Sequence, residues 1–335
     1  MIRRFVLGRL VEAVPTLVGV AVVVFVLVRL VPGNPIALMM PPGATAADIE
    51  NLRALYGLDR SILEQFLIWV SGLLRGELGT SISLRQDVLD LVLSRLPATL
   101  ELAVVAIVIA VTLGTALAVV ATVKRETFAD AAIDGVIGLA LSIPDFIWAL
   151  IFILVLGVMF PLLPISGRAD PTVAYGFVTS FHLIESLVRL DAAAVRDHVA
   201  HIVLPALSLA LPLAAMIARV LRASLEEELV QDYIVIARVK GFGRWRIIVR
   251  EALRNAAIPA VSLTGVQITF LIGGTVLIEK MFSYPGIGNL AIDAVINRDL
   301  PLIQGLILTF ALLFILVNLL LDLAYGALNP KIRHG

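Results

Sequence analysis

Six stretches of this chain are apolar over lengths that match a lipid bilayer: about residues 10–31, 99–123, 133–160, 202–222, 258–278 and 302–325. A helix needs about 20 apolar residues to cross the hydrocarbon core, where backbone groups find no water. The pattern predicts an all-α membrane protein with six transmembrane helices. Composition agrees, with 60% hydrophobic residues among 335 and a mean hydropathy of +1.00, whereas soluble domains hold about 45–50% apolar residues. Residues 32–98 form a hydrophilic insertion after the first helix, and 161–201 is too polar to span. The organisation expected is an N-terminus and first helix at 1–31, the insertion at 32–98, a five-helix core at 99–325 containing a polar loop at 223–257, and a tail at 326–335.

The run from Leu10 to Leu30 is about 21 residues and has no small-x-small cleavage site after it. Signal-peptide cores are roughly 7–15 residues, so a retained first span is expected. Lys and Arg crowd the short loops on one side: Arg3, Arg4, Arg9, Lys124, Arg125, Arg219, Arg222 and six cations between Arg238 and Arg254. That bias places both termini in the cytoplasm of a multi-pass membrane protein. Formal net charge is zero, so nothing suggests nucleic acid, and the absence of cysteine removes disulfides and thiolate chemistry. In the insertion, Thr45 and Asp48 read as a capping pair and Gly57 as a stop. Ile62, Leu63, Phe66, Leu67, Val70, Leu73 and Leu74 then recur at helical spacing beside Trp69, as a stripe for the membrane surface or the bundle.

The polar loop between the fourth and fifth spans carries the strongest signal. Leu225 to Lys240 suits an amphipathic helix, with Glu226, Glu227 and Glu228 at its start and Arg238 and Lys240 at its end, as the helix dipole prefers. Gly241 is a C′ residue. A second helix follows, with Trp245, Ile248, Val249, Ala252, Leu253 and Ala256 on one face, and Pro259 breaks it or opens the next span. Such a loop can act as a lever moved by a soluble partner. Tyr233, Ile236 and Ala237 would offer an apolar knob, and Arg238, Lys240 and Arg244 rim salt bridges. The structural alternative is a solvated charged loop.

Ionisable and polar groups inside spans are expensive and often functional. Asp145, after Pro144 in the third span, and Gln267 in the fifth are therefore translocation-pathway candidates, with pairing or interhelical hydrogen bonding as the alternatives. Gly273 and Gly274 suit close helix packing, Asn318 and Asp322 an interhelical clasp, and Glu279 and Lys280 a solvated or paired helix end. His198 and His201, beside Asp197, are three apart, but two such residues are common by chance and no metal is expected.

In order along the chain, Arg29-Leu30-Val31-Pro32-Gly33-Asn34-Pro35, Arg75-Gly76-Glu77-Leu78-Gly79-Thr80-Ser81, Arg95-Leu96-Pro97-Ala98-Thr99-Leu100-Glu101-Leu102, Ser142-Ile143-Pro144, His201-Ile202-Val203-Leu204-Pro205-Ala206, Ala237-Arg238-Val239-Lys240-Gly241, Phe282-Ser283-Tyr284-Pro285-Gly286-Ile287-Gly288 and the tail from Asn318 to Arg333 resemble the first (B-type) permease subunit of the dipeptide/oligopeptide/nickel group of ABC importers. Ile236 and Val239 depart from the smaller or more polar residues usual there. The resemblance implies a type I importer permease fold, with Pro285 and Gly286 structural and 225–241 as a coupling helix. It implies as partners a second homologous permease, two cytoplasmic ATP-binding subunits, an extracytoplasmic solute-binding protein and membrane lipid. This chain would bind no cofactor; ATP and Mg would be used by the ATPases, since no Gly-x-x-x-x-Gly-Lys-Ser/Thr loop is present. Dipeptides or oligopeptides are the expected cargo, with nickel or another small solute as the alternative. A self-sufficient secondary transporter would need its own coupling-ion site and often shows inverted repeats, of which there is no clear sign. An intramembrane enzyme lacks its motifs.

Overall fold

The computed structural model describes residues 2–30 and 60–328. The Thr45–Asp48 cap, the Gly57 stop, the motif after Leu30 and the last residues of the tail lie outside them. Among the described residues there is no strand, only an isolated bridge between Thr80 and Asp87. The chain runs α1 (Ile2–Leu30), α2 (Ile62–Leu74), α3 (Val88–Val123), α4 (Phe128–Ser142), α5 (Asp145–Phe152), α6 (His182–Val188), α7 (Ala192–Glu228), α8 (Asp232–Val239), α9 (Leu253–Met281), α10 (Ile287–Ile296) and α11 (Leu300–Leu328). π-helical segments extend α5 (Ile153–Met159) and precede α9 (Ile247–Ala252).

All six apolar segments are helical, and α3, α7 and α11 are long and apolar enough to cross a membrane unbroken. The third is broken: α4 and the α5 helix meet at 106° across Ile143 and Pro144. Proline has no N–H and disfavours the α conformation in the residue before it, and Ile143 is extended. The fifth also changes direction, by 63° between Arg244–Ile268 and Gly273–Met281. Pro259 is not where it breaks; it lies inside α9, and the change of direction falls later, between Ile268 and Gly273. α7 begins ten residues before the apolar run, capped by Asp191, whose carboxylate accepts from the Ala193 and Ala194 amides.

By internal contact the chain forms two compact units, Met1–Leu96 with Leu290–Ala324, and Pro97–Asn289 with Tyr325–Gly335. In the first, Asp299 caps α11 and is fully buried. Its carboxylate accepts from Ser81 Oγ (2.6 Å), Ser83 Oγ (2.7 Å) and the Ser83 amide (2.9 Å). Burial pushes this group up, but those bonds outweigh it and hold it below the usual carboxylate range. Arg9 of α1 pairs with Asp322 of α11 at 2.9 Å, so Asp322 does join two helices. Asn318 instead bonds back to the Phe314 carbonyl of its own helix.

The second unit is built on α7, which packs against α4, α5, α6 and α9. Small residues set its close approaches: Ala98, Ala106, Ala110, Ala206, Ala210 and Ala214 are buried in one cluster with Leu204, Leu213 and Phe282. A Cβ on Gly114 would stand 2.6 Å from the Ala214 carbonyl.

Candidate functional site: a coupling hairpin and a buried clasp

Two places in the second unit concentrate the polar chemistry, one near each end of α3. The first is the polar loop. It is a short helix set between two turns rather than one helix from Leu225: α7 continues through Glu228, and α8 begins at Asp232. The three glutamates therefore finish α7, and Asp232 is the acid in the first turn of α8. α8 ends as its sequence demands. The Gly241 amide donates to the Arg238 carbonyl (2.9 Å) and the Phe242 amide to the Ala237 carbonyl (3.2 Å), with Gly241 at φ +77°. These are the paired bonds of a Schellman motif, which needs a left-handed residue at C′. Phe242 lies against the same cluster as Ala237, completing it.

α8 is two-faced. Ile234 and Ala237 are buried with Ala118 and Val119 of α3, Leu221 and Leu225 of α7, and Ile247, Ile248, Ala252, Ala256 and Ala260 of the fifth span. Ala237 is thus a packing residue of the hairpin, and the apolar side chains of α8 left exposed are Val235, Ile236 and Val239, the last 84% exposed; Val230 and Trp245 in the flanking turns are exposed too. Trp245 does not share the buried face of Ile248, Ala252 and Ala256. The intervening π segment adds a residue to the turn and shifts the register.

Polar bonds fix the hairpin to its spans. Tyr233 donates to Glu228 and accepts from Asn255 Nδ2 at 3.2 Å. Burial and then the bond to Glu228 push the Tyr233 phenol up. Arg238 caps the Leu229 carbonyl (3.0 Å), and Arg244 caps the Thr122 carbonyl at the end of α3 (2.9 Å), so Arg244 already has a partner within the chain. Lys240 is exposed. Close by, Arg222 of α7 reaches Asp130 (2.9 Å) and Asp134 (2.5 Å) of α4 and its own Glu226 (3.3 Å).

The second place lies about 35 Å along α3, at ~1.5 Å per residue. Sequence reasoning treated Glu279 as an interface charge; it is 0% exposed. Its carboxylate accepts from Thr99 Oγ1 (2.7 Å) and from the amides of Gly288 (2.9 Å) and Asn289 (3.0 Å). Thr99 Oγ1 accepts in turn from the Ile287 amide (2.9 Å). The glycines of the motif at 282–288 now have a physical reason. A Cβ on Gly286 would stand 2.2 Å from Glu279 Oε2 and 2.4 Å from Thr99 Oγ1, and one on Gly288 would stand 2.6 Å from the Val276 backbone. Pro285 sits in the same turn, where the Gly286 amide bonds the Tyr284 carbonyl.

One helical step on, buried Glu101 accepts from Arg168 (2.6 Å) and from the Ile184 amide (3.1 Å). Arg168 also donates to the Ser180 carbonyl (2.9 Å), and the Gly167 amide to the Phe282 carbonyl (2.9 Å). The segment between the third and fourth spans is thereby stitched to α3. The signal for this clasp was present in the motifs at 95–102 and 282–288, but nothing in either run names the other as its partner.

Asp145, the first residue of α5, accepts from the amide of its neighbour Phe146 (2.8 Å). Its Oδ2 stands 3.3 Å from where a Gly274 Cβ would be, so Gly274 does permit a close approach, whereas Gly273 faces open space. The Gln267 amide meets the Met216 sulfur of α7, an interhelical contact. His198 and His201 bond back to the Ala194 and Asp197 carbonyls, and among the described residues no group of three or more His, Asp or Glu converges as metal ligands do.

A family model described as binding-protein-dependent transport system inner membrane component matches residues 106–334, and its N-terminal companion matches 1–103. The dipeptide transport system permease protein DppB of Escherichia coli (strain K12) is 38% identical over 335 residues, covering 99% of this chain and 99% of that protein. The di/tripeptide transport system permease protein DppB of Pseudomonas aeruginosa (strain UCBPP-PA14) is 40% identical over 333 residues, with 98% of each covered. The glutathione transport system permease protein GsiC of E. coli (strain K12) is 36% identical over 330 residues, covering 98% and 99%. The chain belongs to the family of binding-protein-dependent inner-membrane transport components. It is a multi-pass permease subunit of an ABC importer, working with ATPase and solute-binding partners, and ATP hydrolysis belongs to separate subunits.

Proposed function

We propose that this chain is one of two homologous pore subunits of an importer for dipeptides or short peptides, with both termini in the cytoplasm. Two ATPase subunits, using ATP and Mg, engage α8. The observation that carries this reading is the division of labour on that helix: Ile234 and Ala237 bind it to three spans, while Val235, Ile236 and Val239 stand exposed on a short polar hairpin. Isolated apolar side chains on a surface are ordinary, but three on one short helix, with Trp245 exposed in the same loop, suit a docking site. A push on that face reaches α3, α7 and the fifth span through one shared cluster. The exposed Ile236 and Val239 make this face more apolar than the family pattern, which fits a matching apolar groove on the ATPase.

The full-length relatives named for dipeptides, di/tripeptides and glutathione support a peptide cargo. Asp145, at the break in the third span, offers a carboxylate for the amino group of a passing peptide.

The test is a mild-detergent pull-down of the tagged chain from its native membrane. A second permease, ATPase subunits and a binding protein are expected to co-purify. The double substitution Ile236→Asp with Val239→Asp is expected to release the ATPases while keeping the permease partner. ATPases retained at the unmodified ratio would show that they dock elsewhere.

A further inference from the structure

α2 (Ile62–Leu74) divides its surface into three stripes. It opens with a capping box, Ser61 Oγ accepting from the Glu64 amide (3.3 Å) and Glu64 from the Ser61 amide (3.0 Å), so its start is fixed. Phe66, Trp69 and Leu73 form one stripe, each half-buried, and the first two meet Phe25 of α1 with ring centroids 5.0 and 5.7 Å apart. Leu63, Leu67, Val70 and Leu74 form the adjoining stripe at steps of four, three and four residues. Its three leucines are exposed, Leu74 to 85%. Arg60, Glu64, Ser71 and Arg75 make the third, charged at both ends of the helix, with exposed Ile68 at its edge. Thus, among the described residues, an exposed apolar stripe lies between one that faces protein and one that suits water.

α1 supplies the depth. It exposes Val11, Val14, Val18, Val22, Val23, Val26 and Leu27, the face of a membrane-embedded helix. Phe25 stands four residues before Arg29, the first charge after the apolar run. At ~1.5 Å per residue that is about 6 Å below the level where α1 turns polar. A helix held there by Phe66 and Trp69 sits at the boundary between hydrocarbon and headgroups. With 13 residues it is about 20 Å long, too short to cross a core of about 30 Å. Aromatic side chains at that depth, apolar residues on one side and charges on the other are the features of a helix lying in the interface.

We propose that α2 is an interfacial anchor whose Leu63–Leu67–Leu74 stripe is covered by the lipid of the surrounding membrane. Phe25, buried against Phe66 and Trp69, ties this anchor to α1, whose own exposed apolar face the same lipid would cover. This inference needs only that the chain sits in a membrane; it stands apart from the cargo and from the ATPase contact.

The natural sequence contains no cysteine, so single cysteines can be introduced without removing any. The experiment places a nitroxide at Leu63→Cys, Leu67→Cys or Leu74→Cys, and for comparison at Glu64→Cys or Arg75→Cys. The importer is assembled in phospholipid nanodiscs, and collisions with oxygen and with a water-soluble nickel chelate are read. The leucine positions are expected to favour oxygen severalfold over nickel relative to positions 64 and 75. Equal access to nickel at both sets would mean that the stripe faces water. Low access to both reagents at the leucines would mean that protein covers it. Either result overturns the proposal. All five positions are exposed, so the labels disturb no buried packing, and retained uptake confirms assembly.

Discussion

The two ends of α3 within the second unit are held by opposite means. At Thr122 the partner is one arginine donating to a backbone carbonyl, and the neighbouring hairpin turns apolar residues outward. At Thr99 and Glu101 the partners are buried, each carboxylate accepts more than one bond, and the glycines of the motif at 282–288 leave no room for a side chain. The first is a part-buried bond to a neutral carbonyl, worth about 1–3 kcal/mol at most, and its arginine can turn to water when it is lost. The second cannot shift so cheaply, because a buried charge deprived of its partner is left without water to replace it. One end of the helix is suited to receive motion and the other to resist it.

The sharpest way to break this contrast is Arg168→Leu. Glu101 would keep its bond from the Ile184 amide but lose its cation while 4% exposed. Removing one partner of a buried pair typically costs ~3–5 kcal/mol. The expected outcome is a thermal midpoint of the purified complex lowered by many degrees. Replacing Arg238, whose bond to the Leu229 carbonyl is exposed, is expected to change it by at most a degree or two. Equal losses at the two sites would erase the distinction.

Gly241→Val tests the mobile end. Its Cβ would meet nothing within 4 Å, so the cost is one of backbone alone: φ +77° is a conformation that β-branched residues avoid. A strained residue of this kind costs ~1–3 kcal/mol, enough to unwind the last turn of α8 while the cluster around Ile234 still holds. Expected is a complex that assembles at the usual ratio, hydrolyses ATP without cargo dependence and takes up peptide several-fold more slowly. Uptake at the unmodified rate would sink the lever.

What the sequence made legible follows from what is local. The six apolar runs, the glycine end of α8 and the Ile62–Leu74 stripe each depend on residues within a few turns of one another, and each was readable. The exact start of α8 was not, because three glutamates before a helix and three glutamates ending one look alike. The 106° break at Pro144 was read only as a proline within a span. Glu279 was read as a solvated or paired helix end, and its burial was missed because its donors, at Thr99 and the amides after Gly286, come from distant or turn-buried groups that no periodicity reports. Trp245 was placed on the wrong face because of a π segment, which has no sequence signature of its own, and Ala237 because its burial depends on residues of three distant spans.

The smallest effect expected lies in the segment that the clasp stitches down. His182 stacks on Phe177 (5.0 Å between centroids) and stands edge-on to His198 (5.7 Å). Its imidazole is lowered to about 4, first by burial and then by the charge of Arg168 and by His198, with Glu185 opposing. Glu185 is itself held down to about 2, chiefly by the Thr179 hydroxyl and the Val178 amide, so it stays ionised throughout the window concerned. An unfolded histidine titrates near 6.5. Between that value and about 4 the opened segment binds a proton that the closed one does not, so closure weakens as pH falls through this range. Amide exchange at residues 176–188, corrected for the intrinsic pH dependence of exchange, is expected to show less protection at pH 5 than at pH 7. His182→Phe keeps the ring contact and removes the titration, and should flatten the difference. Equal protection at both pH values in the unmodified chain would mean that the segment is held by its hydrogen bonds, with no contribution from the neutral state of His182.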